Sequence, residues 1–225
     1  MRPELEVYLR PGRFVDSDAP AVRAFAREAV ASAIDPVEQA ALLFAAVRDR
    51  IWYDPFVVSD DPERYRASAV AVAAASWCVP KAVLLVAGAR ALGIPARLGF
   101  ADVRNHLQTA RLREHMGGVD VFIYHGYADL HLDGRWVKAT PAFNAELCVR
   151  FGVAPIDFDG RSDALLHQFS ADGSRYMEYG TDRGVFADLP LAQILGAFRD
   201  TYGDRMIMST GDTGTDAFTA PSVAS

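Results

Sequence analysis

The chain has 225 residues, of which 51% are hydrophobic, with a formal net charge of −6 and two cysteines; this is enough for a globular fold with a sizeable core. The negative charge disfavours nucleic acid and anionic lipid as partners, and the cysteines have neither disulfide-framework nor zinc-ligand spacing. No apolar run approaches the roughly eighteen residues of a membrane span, and MRPELEVYLRPG lacks the apolar core of a signal peptide, so we expect a cytoplasmic location and no membrane partner.

Three helices are predicted in the first hundred residues. Asp18-Ala19-Pro20 precedes AVRAFAREAVASAI, and Asp35-Pro36 precedes VEQAALLFAAVRDRI, so each apolar period follows an N-cap signal and a first-turn proline. A third, more apolar helix is predicted to begin at about Cys78, because Pro80 is tolerated only in a first turn, and to end at Gly93.

A β-hairpin is the strongest local signal in the second half of the chain. A strand is predicted from Ala96 to Val103, followed by a polar connection over 104–118. Asp133-Gly134 then separates two strand-like runs, which is typical of a two-residue hairpin turn. Beyond the hairpin only a helix at about 190–202 is predicted, and the small, polar residues 209–225 are expected to be disordered.

The hairpin turn fixes a register in which facing residue numbers sum to 267. Tyr127 should then face Thr140 and His125 should face Ala142. His125 lies on the same face of the sheet as Thr140 and Asn144, at the roughly 7–8 Å separation of diagonal neighbours. Either side chain could therefore hydrogen-bond the imidazole.

The sequence shows no internal repeat, and no shift in composition marks a second domain boundary. A single domain is therefore expected.

Two blocks of sequence resemble a known family. Cys78 followed by KAVLLVAGARALGIPAR resembles a nucleophile helix that ends in R-A-x-G-I-P-A-R. HGYADLHLDGRWVKATP resembles the pattern His-Ala-Trp-x-Glu-x-x-x-x-Gly-x-Trp, which ends in Asp-Pro. The order of the blocks and the 47 positions between Cys78 and His125 agree as well. The chain thus resembles the bacterial stand-alone transglutaminase-like proteins of the papain-like cysteine protease superfamily.

This resemblance implies an α+β fold in which the helix that carries Cys78 packs against an antiparallel sheet. The single domain would span residues 1–208, with a core at about 20–145 and an elaboration at 145–208. The resemblance also implies Cys78 as the nucleophile, at the N-terminus of its helix, and His125 as the base on the sheet. The family's third residue, an Asp, falls on Thr140, which carries no charge. Asn144 is the alternative, because papain-like enzymes use a neutral Asn in this role. For the oxyanion, Cys78 would offer its own backbone N–H, and Trp77 or Trp52-Tyr53 could supply a second donor.

The implied activity is a cysteine-dependent amide hydrolase, a peptidase or amidase, that forms an acyl-enzyme thioester with a peptide or protein amide. Two alternatives remain at this level: transfer of the acyl group to an amine, and a non-catalytic binding module that retains the fold. None of the three requires a cofactor or metal. Cys148 lacks any comparable context and is interpreted as a packing residue.

Overall fold

The computed structural model describes residues 3–106, 108–166, 173, 176–207 and 218–220. The described residues form helices, a four-stranded antiparallel sheet and a short two-stranded sheet, as expected for an α+β fold. Of the tail predicted to be disordered, only residues 218–220 lie within the described part of the chain.

The described residues contain α-helices and three 3₁₀ helices, at Pro3–Tyr8, Pro62–Tyr65 and Gly203–Met206. None of the described helices is long and apolar enough to cross a membrane. The predicted cap at Asp35 is present, since its side chain accepts the Glu38 backbone N–H at 3.1 Å. The α-helices are Pro20–Val30 (α1), Pro36–Arg50 (α2), Ala67–Val70 (α3), Cys78–Ala91 (α4), Ala110–His115 (α5), Ala145–Arg150 (α6) and Leu191–Tyr202 (α7).

Two sheets are formed by the described strands. Trp52–Tyr53 (β1) and Ala75–Ser76 (β2) pair in parallel. The larger sheet is antiparallel, in the order β5-β4-β3-β6. Its strands are Ala96–Asn105 (β3), Val121–Leu132 (β4), Arg135–Ala139 (β5) and Met177–Phe186 (β6).

Helix α4 lies at the centre of the fold. It contacts β3 and β4 as well as α1, α2 and α3, and its residues from Cys78 to Arg90 are buried. A helix that is apolar all round is typical of such a central position. The helix begins at Cys78, as predicted, and Gly93, at φ +81°, follows its end.

The hairpin has the predicted turn and register from Leu132↔Arg135 to Ala128↔Ala139. Asp133 and Gly134 both have positive φ, as a type I′ turn requires. The predicted pairs beyond Ala139 were wrong, because the backbone N–H of Thr140 donates to the Ala164 carbonyl at 2.8 Å. Thr140 therefore leaves the ladder before it can pair with Tyr127.

Among the α-helices and strands after β3, three were missed by the sequence prediction. The connection 104–118 contains α5, which begins where the Thr109 hydroxyl accepts the Leu112 N–H at 3.2 Å. The segment 145–208 contains α6 and β6 in addition to the predicted helix, which is α7. Strand β6 pairs with β3, about 80 positions earlier in the chain, so its pairing is invisible to local pattern.

Candidate active site

Cys78 is the first residue of α4, and its side chain is buried, with the residue 4% exposed. The backbone N–H groups of Gly126, Val79 and Cys78 itself act on the sulfur and favour the thiolate. Burial outweighs them and raises the pKa of the Cys78 thiol to about 11. The thiol is therefore neutral at pH 7 in this closed arrangement.

His125 lies on β4, directly before Gly126, where the strand is irregular. Ala101 pairs with His125, but Val103 pairs with Phe122, so two residues of β4 face one residue of β3. Such a bulge bends the strand and re-aims its side chains. Tyr124, just before His125, takes φ +53°, a strained conformation for a bulky residue.

The bulge is held in place by Asp102, the residue of β3 that faces it. One oxygen of the Asp102 carboxylate accepts the Tyr124 N–H at 3.2 Å. Arg183 of β6 binds the same carboxylate through two nitrogens, at 2.9 and 2.8 Å. On the other side, the amide of Gln193 in α7 donates to the Tyr124 hydroxyl at 2.7 Å. These contacts fix the backbone that presents His125.

Cys78 and His125 line the same cavity. Its free volume is about 10 Å³, about the room that one water molecule occupies. Most of the lining is apolar, and part of it comes from the C-terminal elaboration, which the sequence could not place. The lining residues are Tyr53, Pro55, Val58, Trp77, Cys78, Phe122, Ile123, His125, Phe198, Tyr202 and Met206.

Helix α7 covers this cavity and is fastened to β4. The Tyr202 hydroxyl accepts the Ile123 N–H at 2.8 Å and donates to the Val121 carbonyl at 2.7 Å. The Phe198 ring lies 5.6 Å from that of Trp77, the residue before the cysteine. The elaboration therefore closes the cleft in this structure.

His125 is also neutral in the closed cavity. Burial lowers the pKa of its imidazole to about 4. Its Nε2 is buried and has no hydrogen-bond partner among the described residues. A neutral imidazole beside a neutral thiol can act as a general base once a substrate is bound.

Thr140 lies directly after β5, and its side chain is fully buried. Its Oγ1 makes no hydrogen bond of ordinary length to the described residues, although the Tyr179 hydroxyl approaches it. Thr140 Oγ1 therefore makes no hydrogen bond to His125 in the described part of the chain.

Asn144 is engaged elsewhere. Its Nδ2 donates to the carbonyls of Arg48, at 2.6 Å, and Ile51, at 3.0 Å, and its Oδ1 accepts the Tyr53 N–H at 2.7 Å. It occupies the N-cap position of α6, although its side chain does not cap that helix. In this structure Asn144 joins α2 and β1 to the segment after β5, and these contacts do not include His125.

Lys81, one turn after Cys78, shares the role of Asn144. It is 0% exposed, and its Nζ donates to the same carbonyls of Arg48 and Ile51, at 2.9 and 2.6 Å. Burial lowers the pKa of Lys81 to about 7. Together Lys81 and Asn144 satisfy the carbonyls at the end of α2, which a helix leaves unpaired. No pattern in the sequence predicted these hydrogen bonds of Lys81.

Tyr179 of β6 is a second site residue that was missed. Its ring lies 6.3 Å from that of His125, centre to centre, in an edge-on arrangement. The pKa of its phenol is raised to about 12, mainly by burial and in smaller part by the charge of a Cys78 thiolate. Tyr179 therefore stands close to the thiol, the imidazole and Thr140. No local signal identified it, because β6 was not predicted.

Two of the proposed oxyanion donors have other partners. The Trp52 indole N–H donates to the Phe218 carbonyl at 2.6 Å, and the Tyr53 N–H donates to Asn144. Gly126, which lies one residue after the candidate base, supplies a backbone N–H near the sulfur instead. The backbone N–H groups of Gly126, Val79 and Cys78 are therefore the ones that act on the sulfur in this structure.

Within the described part of the chain, neither Cys148 nor the acidic residues form a second candidate catalytic or metal site. Cys148 is buried in α6, and burial raises the pKa of its thiol to about 11. Among the described residues, no group of three or more His, Cys, Asp or Glu side chains is arranged to hold a metal ion.

A model of the transglutaminase-like superfamily matches residues 23–141 of the chain. This region contains both Cys78 and His125. It ends at Pro141 and so includes Thr140 but leaves out Asn144, α6, β6 and α7.

Among solved structures, the chain is similar to a candidate cysteine protease from Cytophaga hutchinsonii, with 17% sequence identity and a TM-score of 0.48. The similarity covers 63% of this chain and 43% of that protein, so the chain spans less than half of its length. A search of curated proteins gave no significant match.

Proposed function

From the premise that the chain belongs to the transglutaminase-like superfamily, we propose that it is a cysteine-dependent amide hydrolase whose nucleophile is Cys78 and whose base is His125. The observation that carries the proposal is that both side chains line one cavity, at the junction of the N-terminus of α4 and the bulge of β4. The substrate class is a peptide or protein amide.

The reaction would proceed through a thioester. His125 takes the thiol proton as Cys78 sulfur attacks the amide carbonyl, which forms a tetrahedral oxyanion. The carbon–nitrogen bond then breaks, and His125 gives the proton to the leaving amine. Water, deprotonated by His125, attacks the thioester and releases a carboxylic acid and the free thiol. The backbone N–H groups near Cys78 would stabilise both oxyanions.

Substrate binding must enlarge the cavity, because about 10 Å³ cannot hold an amide group. A neighbouring cavity of about 210 Å³ shares Trp77 as a wall and is lined also by Arg64 and Tyr65. Movement of the Trp77 indole, or of α7 away from it, would connect this space with the thiol.

Acyl transfer to an amine is the second candidate. It is favoured by the apolar lining of the cavity, including Phe198 and Met206, which would exclude water from a thioester and leave it for a competing amine. The chemistry up to the thioester is the same in both cases.

The test is to incubate the full chain with peptidyl nitroanilides, quench it in acid and measure the mass of each cysteine peptide. We expect an acyl group on Cys78 in the wild-type chain and none in Cys78→Ala. Cys148→Ala is the matched control and should retain the adduct, because that thiol lies outside the cavity. Addition of a primary amine separates the candidates: a free acid product supports hydrolysis, and an amide product supports transfer.

Acylation of Cys148 instead would mean that the nucleophile is wrong. Absence of an adduct and of turnover, in both the wild-type chain and a variant with an opened cavity, would favour a non-catalytic binding module.

A further inference from the structure

Phe218 packs against residues that are distant from it in the sequence. It is 3% exposed, and its ring contacts three aromatic rings of the domain. The centre-to-centre distances are 5.0 Å to Phe151, 5.9 Å to Tyr53 and 6.1 Å to Phe56. Phe218 is also the sole aromatic residue in 208–225. A polar stretch of chain thus places its single aromatic side chain in an aromatic pocket.

The backbone of this segment is bound as well. The Trp52 indole N–H donates to the Phe218 carbonyl at 2.6 Å, and the Arg150 guanidinium donates to the Thr219 carbonyl at 2.7 Å. The guanidinium carbon of Arg150 lies 5.0 Å from the Trp52 ring centre, so the two donors brace each other. Both are side-chain donors that bind carbonyls every peptide has.

These features are those of a peptide-binding groove. Hydrogen bonds to backbone carbonyls hold any extended peptide, and a side-chain pocket selects among peptides. Here the pocket would select an aromatic side chain, because edge-on and tilted ring contacts favour one.

The groove adjoins the candidate active site. Tyr53, which contacts the Phe218 ring, also lines the cavity of Cys78 and His125. The Tyr53 side chain is therefore a wall of both the Phe218 pocket and that cavity. A peptide held in the groove would lie beside the thiol.

We propose that Trp52, Tyr53, Phe56, Arg150 and Phe151 form a substrate subsite for a peptide segment with an aromatic side chain, and that Phe218–Ala220 occupies it in the free protein. The term substrate rests on the proposed function, whereas the peptide binding does not. Because the tail is tethered, its effective concentration at the groove is high, and a peptide in solution must compete with it.

The probe is a fluorescein-labelled peptide of residues 216–222, DAFTAPS, together with the same peptide carrying Ala in place of Phe. Binding is measured to the full chain and to its Phe218→Ala variant by fluorescence anisotropy. We expect the Phe peptide to bind Phe218→Ala at least about tenfold more tightly than it binds the wild-type chain, and at least about tenfold more tightly than the Ala peptide does. Arg150→Gln, combined with Phe218→Ala, should weaken this binding.

Equal binding of the two peptides, or no gain in Phe218→Ala, would overturn the proposal. A second variant keeps the proposal testable if Phe218→Ala does not fold. Phe218→Leu keeps a large apolar side chain for the pocket but removes the aromatic ring. The Phe peptide should bind Phe218→Leu more tightly than it binds the wild-type chain and more tightly than the Ala peptide binds it, and the absence of both differences would count against the groove.

The two proposals fail in different ways. Peptide binding to Phe218→Ala without acylation of Cys78 would contradict the proposed function and leave the groove. Acylation of Cys78 with no preference for aromatic peptides and no binding of DAFTAPS would contradict the groove and leave the proposed function.

Discussion

The carboxylate of Asp102 accepts the backbone N–H of Tyr124 at 3.2 Å, one residue before His125. This hydrogen bond stabilises the backbone of Tyr124 at φ +53°, a conformation whose strain costs of order 1–3 kcal/mol. The orientation of the candidate base thus depends on a carboxylate that does not touch it.

Asp102→Ala should therefore impair His125 without removing it. We expect the rate of Cys78 acylation to fall by about ten- to a hundredfold, because small displacements of a reacting group are costly. The free energy of unfolding should fall by about 2 kcal/mol through the loss of the bonds to Tyr124 and Arg183. Asp120→Ala is the matched control, since Asp120 pairs with Arg104 near the same end of the sheet but is exposed. Equal acylation rates in the two variants would show that Asp102 does not position the base.

The stability of the protein should fall as the pH is lowered, in a way that depends on His125. The pKa of His125 is lowered from its usual 6.5 to about 4, so the unfolded chain binds this proton at a higher pH than the folded chain. The free energy of unfolding then decreases from about pH 6.5 toward pH 4, by about 1.4 kcal/mol per unit. Urea unfolding at pH 7 and pH 5 should give a smaller difference in His125→Gln than in the wild-type chain, by about 2 kcal/mol.

The control for this titration is a second interval, from pH 7 to pH 8, which lies above both the folded and the unfolded pKa of His125. Over that interval the wild-type chain and His125→Gln should give nearly the same difference in the free energy of unfolding. If His125→Gln keeps the wild-type difference between pH 7 and pH 5, the imidazole of His125 is not buried in the neutral form in solution.

Gly126→Ala should separate the strand of the candidate base from the helix of the candidate nucleophile. A Cβ on residue 126 would lie 3.0 Å from the Cα of Val79, a backbone atom that cannot rotate away. We expect a loss of about 1–3 kcal/mol in the free energy of unfolding and a lower rate of Cys78 acylation. Gly196→Ala in α7 is the control, because a Cβ at this position would meet none of the described residues within 4 Å outside its own turn of helix. That variant should be neutral or slightly stabilised, and a similar loss in both variants would contradict the close approach at Gly126.

Phe198→Ala should expose the thiol. Phe198 covers the cavity of Cys78, and the pKa of that thiol is raised to about 11 by burial. Opening the cavity admits water and lowers this pKa toward its usual range, so iodoacetamide at pH 8 should label Cys78 faster, by about tenfold or more. Cys148 provides the internal control, since its labelling should not change. Equal acceleration at both cysteines would indicate general unfolding instead of local opening.

Sequence pattern was sufficient for the parts of the site that depend on local signals. Pro80 fixed the start of α4 and so the helix-terminal position of Cys78, and Asp133-Gly134 fixed the hairpin that carries His125. Both features depend on backbone preferences of a few adjacent residues, which a single sequence contains.

The remaining parts depend on contacts between distant segments. Tyr179 lies at the site because β6 pairs with β3. Asp102 acts through a bulge in β4, and no residue type in β4 predicts that bulge. Asn144 was predicted to lie on the face of His125 by extending the hairpin register. The register ends earlier, because the backbone N–H of Thr140 donates to the Ala164 carbonyl. Tertiary pairing thus overrode a local register.

Thr140 and Asn144 should now be distinguishable by stability. Asn144→Ala removes four buried or partly buried hydrogen bonds, to Tyr53 N–H and to the carbonyls of Arg48, Asp49 and Ile51. We expect it to lose about 3 kcal/mol in the free energy of unfolding, because the buried Tyr53 N–H loses its acceptor along with the other three hydrogen bonds. The carbonyls of Arg48 and Ile51 keep Lys81 as a donor. Thr140→Val replaces a hydroxyl that makes no ordinary hydrogen bond, so its stability should change by less than about 1 kcal/mol. Urea unfolding measures both.

If Thr140 orients His125 when the site opens, Thr140→Val should lower the acylation rate of Cys78, and Thr140→Ser, which keeps the hydroxyl, should restore it. An Asn144→Ala chain that keeps its stability and loses only acylation would return the orienting role to Asn144.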